Sequence, residues 1–145
     1  QSGDSDLAQA LLDCMAENHA DFTLTFRRMC DVTIQDSQHD GPVRGLFENP
    51  EAFDQWAVHW RRRLLADNRS DSEREADMRQ ANPAFIPRNH RVEEVIRAAE
   101  DDNDMAPFEK LLSVLARPYD DQPGSERYAT PPQPGEVVEQ TFCGT

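Results

Sequence analysis

Apolar residues recur along this chain with a helical period. Leu7, Leu11, Leu12 and Met15 fall on one stripe within 6–19, and Asp4 or Ser5 stands where a helix cap is expected. Cys14 lies beside that stripe in the position of a small buried apolar group. In 21–34, "DFTLTFRRMCDVTI", Phe22, Phe26, Met29 and Cys30 keep helical spacing. Phe22, Leu24 and Phe26 also alternate as a strand would, but the helical spacing continues for two more turns, so a helix is expected. Residues 35–45 are rich in Asp, Ser, His, Gly and Pro and read as a loop.

The strongest stripe follows. Asn49 or Glu48 precedes Pro50, a residue suited to a helix's first turn. Phe53, Trp56, Ala57, Trp60 and Leu64 then share one face, which reads as core rather than as a ligand platform. Ser70 with Glu73, or Ser72 with Glu75, offers a capping box for a charged helix over 71–80. Its apolar stripe is thin (Ala76, Met78), so it is expected at the surface. "NPAFIPRN" at 82–89 reads as an extended connector, because each proline lacks a donor and restricts the residue before it. Val92, Val95, Ile96 and Ala99 form a further stripe, closed by the acidic run at 100–104. Phe108, Leu111, Leu112 and Leu115 form the last, with Pro107 in its first turn.

Beyond Arg117 the period disappears. The final 29 residues hold 5 of the 10 prolines and 3 of the 6 glycines. Fully stretched they reach ~95 Å at ~3.3 Å per residue. Such a segment is expected to lie along another surface, with Tyr119, Tyr128, Val137, Val138 and Phe142 as apolar anchors. The expected fold is therefore all-α: an irregular bundle of about six helices over 4–116, with an extended Pro-rich C-terminal tail over 117–145. Gln1, Ser2 and Gly3 read as the remnant of a cleavable tag, which would put the natural start near Asp4.

Charge narrows the partners. The 28 acids and 15 bases leave a net charge of −13, which disfavours nucleic acid and anionic membrane surfaces. Lys110 is the only lysine. Arg61, Arg62 and Arg63 form the densest positive run, read as a solvated helix face paired with neighbouring acids. No stretch approaches the ~20 apolar residues of a membrane helix.

Candidate chemistry is sparse. No glycine spacing matches a phosphate-binding loop, and no serine-hydrolase elbow is present. His19, His39, His59 and His90 stand on separate elements with no zinc-ligand spacing. Neither catalytic, cofactor-binding nor metal-ligating residues are expected here. The three cysteines, Cys14, Cys30 and Cys143, form no CxxC pair. Cys143, third from the end in "QTFCGT", is the one candidate redox residue, because thiol chemistry follows access.

The blocks "NPAFIPRNHRVEEVIRAAE" (82–100) and "PFEKLLSVLARPYDDQP" (107–123), with the ending "TFCGT", resemble the C-terminal region of the selenoprotein O family (SelO). "DFTLTFRRM" (21–29) and the helix at 56–64 are similar to that family too. The resemblance implies a longer parent with a protein-kinase-like fold. That parent would bind ATP inverted relative to kinases and, with a divalent metal, usually magnesium, transfer AMP to protein hydroxyls. The family's nucleotide-binding lysine, its acidic partner and its metal-binding Asn and Asp belong to the kinase-like portion, and none maps onto a residue here. Cys143 falls where many eukaryotic members carry selenocysteine, a position associated with redox control through a cysteine in the kinase-like part.

The expected role is that of a scaffold or regulatory domain of a cytoplasmic bacterial protein adenylyltransferase. Its partners would be the kinase-like domain of the same polypeptide and the parent's protein substrates. ATP and Mg2+ would be held by the parent. A stand-alone helical adaptor and a thiol-redox module using Cys143 are the alternative readings.

Overall fold

A computed structural model describes residues 3–35 and 37–138. Phe142 and the candidate Cys143 lie outside them. Among the described residues the secondary structure is entirely helical, as the apolar period requires. The chain groups into two compact units, Gln1–Asn82 and Pro83–Thr145. The division falls inside the stretch expected as one helical domain, and residues 117–138 group with the second unit.

In the first unit, α1 (Asp4–Glu17) starts after Gly3, whose φ of 116° suits a residue without Cβ. The expected caps Asp4 and Ser5 therefore sit inside the first turn, where Asp4's charge favours the helix dipole. α2 (Phe22–Met29) is capped by Asp21, whose carboxylate accepts from the Leu24 amide at 2.8 Å. It is shorter than the 21–34 stretch suggested. From Cys30 to Val32 the chain tightens into bonds reaching back three residues, and the Ile34 amide then donates to the Asp71 carboxylate at 3.2 Å.

The expected loop at 35–45 contains a single turn, α3 (Gly41–Arg44), too short to leave a period, yet Val43 within it is fully buried. α4 (Pro50–Leu65) begins as read, with Asn49 accepting from the Glu51 amide at 3.1 Å. Ser70 and Glu73 close a capping box at the start of α5 (Asp71–Ala81). The core joins Leu11 and Met15 of α1 to Phe53, Trp56 and Ala57 of α4, with Met29, Val32, Val43 and Phe47 packed beside them. The Trp56 indole donates to the Leu7 carbonyl at 2.9 Å, which fixes α1 against α4.

The second unit is built on α6 (Asn89–Asp101) packed against α7 (Ala106–Leu115). The connector before α6 is extended, as its prolines require. The Ala84 and Phe85 amides both donate to the Pro118 carbonyl, at 2.8 and 3.2 Å, so the start of the unit is tied to the chain just after α7. Residues 117–138 lie along α6 and α7 and include a short α8 (Glu126–Ala129) and a 3-10 turn, Pro134–Glu136. Of the expected anchors, Tyr128 is buried beside Phe85, Val95, Leu111 and Val114, whereas Tyr119 and Val137 are exposed. The last stripe is also rotated. Leu111 and Val114 face inward, against Ala84, Phe85, Val95 and Tyr128, while Phe108 and Leu112 are exposed.

Candidate functional site

The Arg61–Arg63 run is only partly the solvated face it seemed. Arg61 reaches from α4 to Asp40, which is 1% exposed, and makes a two-pronged pair at 2.6 and 2.8 Å. Its Nε donates to the Thr33 carbonyl at 2.9 Å. Arg63 pairs with Asp4 at 2.6 Å and holds that carboxyl down at about 2. Arg62 alone of the three is exposed. Arg27, buried on α2, donates to the Arg79 and Asn82 carbonyls at 3.3 and 3.1 Å, placing a cation at the C-terminal end of α5. These arginines are occupied in holding the first unit together.

The two described thiols are both shifted away from the thiolate. Burial pushes the Cys14 thiol up, with Glu17 adding to the effect. Burial does the same to Cys30, against weaker opposition from Arg27 and Arg79. Among the described residues no three His, Cys, Asp or Glu side chains converge as a metal-ligand set. His19 pairs at the surface with Glu48, at 3.0 Å.

His90, one of the four scattered histidines, is 6% exposed, and its Nε2 lacks a hydrogen-bond partner. It lies at the start of α6, beneath the 3-10 turn. There Arg91 donates to Glu94 at 2.9 Å and reaches Glu136 at 3.4 Å, while Arg127 grips Glu94 at 2.8 Å. A cleft of about 820 Å³ opens beside this network. Arg91, Arg97 and Arg127 line it, but so do Glu93, Glu94, Glu136, Asp101 and Asp102. Carboxylates outnumber guanidiniums, and each of the three guanidiniums is paired with a neighbouring acid. A nucleotide's phosphates would meet repulsion there, so these residues do not fit that ligand.

The buried imidazole has a consequence for pH. Burial, aided by Arg91 and Arg88 and opposed by Glu136 and Glu94, lowers the His90 pKa below its ordinary 6.5. The folded unit therefore binds fewer protons than the unfolded chain. The contribution of neutral His90 to stability is present above about 6.5 and is lost as the pH falls toward the folded value. Urea unfolding of the second unit is expected at lower midpoint at about pH 5 than at about pH 7, and His90→Gln should flatten that slope. Glu94 and Glu136, both lowered from 4.5, add their own loss only at more acid pH.

The remaining feature is apolar. In the first unit a groove of about 510 Å³ runs between α1, α2, α4 and α5. Leu7, Leu11, Phe26, Trp56, Trp60 and Met78 line it, and Leu12 and Phe22 stand at its opening, 37% and 62% exposed. The Trp56 and Trp60 rings stack at 5.9 Å along one wall. Only Asp4, Arg63 and Asp67 bring charge to it. The aromatic stripe of α4 is thus core at Trp56 and a groove wall at Trp60.

Fold and sites together define an acidic helical module with an open apolar groove in its first unit. The chain belongs to the SelO family: residues 1–116 match the family described as protein adenylyltransferase SelO. A "protein nucleotidyltransferase YdiU" of Bradyrhizobium sp. (strain BTAi1 / ATCC BAA-1182) is 60% identical over 143 residues, 99% of this chain and 29% of the relative. Proteins of the same name from Bradyrhizobium sp. (strain ORS 278) and Rhizobium meliloti (strain 1021) are 57% and 54% identical, over 100% and 98% of this chain and 29% of each relative. Gln1, Ser2 and Gly3 fall inside the family match. The chain thus spans under a third of the length of these relatives. Among the described residues no helix is long and apolar enough to cross a membrane.

Proposed function

We propose that this chain is the C-terminal helical part of a longer protein adenylyltransferase, and that it supports and regulates a kinase-like portion without holding the nucleotide itself. The observation that carries this reading is the alignment. Nearly all of the chain matches nucleotidyltransferases at up to 60% identity, yet it accounts for 29% of their length. The intact polypeptide would move AMP from ATP to a Ser, Thr or Tyr hydroxyl of a protein, forming the oxygen–phosphorus bond as pyrophosphate leaves. ATP and Mg2+ belong to the kinase-like portion. The carboxylate-rich cleft of the second unit supports that division of labour, since its charge opposes a triphosphate.

Within this reading, Cys143 is a redox residue whose partner thiol lies in the kinase-like portion. Cys14 and Cys30 are unsuited to that part, since burial disfavours their thiolates.

Calorimetric titration tests the proposal. The 145-residue chain should give no binding heat with ATP and Mg2+ at micromolar concentrations, while the intact polypeptide should bind. Micromolar binding by the chain alone would contradict the reading.

A further inference from the structure

We propose that the apolar groove of the first unit is the docking site for a segment of the same polypeptide outside these 145 residues, one presenting an apolar anchor beside a basic residue. This rests on the reading of the chain as part of a longer SelO polypeptide, and it adds which face of the chain meets the remainder.

The groove is walled by four helices and leaves Phe22 62% exposed at its mouth. A contiguous apolar surface of this kind is kept in a protein when something covers it. Its chemistry separates a polypeptide from a small molecule. Small-molecule sites combine an apolar lining with convergent polar groups that orient the ligand. Here the polar groups are confined to Asp4, Arg63 and Asp67, and Asp4 and Arg63 already bond to each other at 2.6 Å. Nothing polar is directed at an occupant's interior, which suits a ridge of aliphatic or aromatic side chains.

The source of that ridge follows from the chain's length. Ninety-nine per cent of the chain aligns with a relative of which it covers 29%, so most of that relative's length lies elsewhere. The groove lies wholly within the residues that match the family, 1–116. Two carboxylates against one guanidinium at the rim, on a chain of net charge −13, favour a basic residue next to the anchor.

Cysteine labelling tests this. Leu12→Cys and Phe22→Cys place thiols at the groove's mouth, and Val58→Cys places one on an exposed part of α4 outside it. Alkylation is read peptide by peptide, so the native cysteines do not interfere. The two groove thiols should react at least about tenfold more slowly in the intact polypeptide than in the 145-residue chain, with Val58→Cys unchanged. Hydrogen exchange of the unsubstituted proteins provides a second measurement that needs no variant: α1 and α2 should gain protection in the intact polypeptide. Equal labelling and equal exchange in the two proteins would overturn the proposal. So would slow labelling in the 145-residue chain, since that chain would then be covering its own groove. An open reading frame confined to these 145 residues would defeat the functional reading itself, whereas equal labelling within a longer polypeptide would defeat the groove alone.

Discussion

Replacing Arg61 by methionine is expected to destabilise the first unit by about 3–5 kcal/mol, measured as a drop in its urea midpoint. The cause is the partner left behind. Asp40 is 1% exposed and receives two bonds from Arg61, at 2.6 and 2.8 Å. Removing the guanidinium strands a carboxylate away from water and also frees the Thr33 carbonyl that Arg61 holds at 2.9 Å. A double replacement, Arg61→Met with Asp40→Leu, should recover much of the loss, because removing both charges also removes their desolvation cost. An Arg61→Met protein with an unchanged midpoint would mean that the pair contributes little. Arg62→Met should change the stability by no more than about 0.5 kcal/mol, since that side chain is exposed.

Phe53→Ala should cost a similar amount, about 3–5 kcal/mol. Phe53 is 0% exposed and packs its ring against Phe47 at 5.4 Å and Trp56 at 5.9 Å. The cavity lies directly behind the Trp56–Trp60 stack, so the loss should reach the groove. Trp56 and Trp60 are the chain's only tryptophans, which makes fluorescence a specific reporter. The variant should show red-shifted emission under conditions where it is still folded, as the Trp56 ring gains freedom and water. A loss of stability with unchanged emission would separate the core from the groove wall.

The long helices were legible in the sequence because their signals are local. Asn49–Pro50 marks the start of α4 and Ser70 with Glu73 that of α5, and each cap acts within three residues. Features that depend on distant partners were not legible. Asp40 sits in what reads as a loop, and its partner lies 21 residues away on α4. Helical period alone cannot tell which of two adjacent stripes on α7 faces inward; α6 and the following chain decide for Leu111 and Val114 over Phe108 and Leu112. The groove was hidden for a related reason. Trp56 and Trp60 have the same spacing as any core stripe, and only the placement of α1, α2 and α5 leaves Trp60 on an open wall. The family, by contrast, was legible from the blocks at 82–100 and 107–123, since a match of ordered sequence needs no three-dimensional contact.

The most direct test of a scaffold that works without its own nucleotide site is transfer of labelled AMP. With α-labelled ATP and Mg2+, the intact polypeptide should place label on protein hydroxyls, and the 145-residue chain should transfer none above a protein-free control. Label moved to protein by the 145 residues alone would contradict the account.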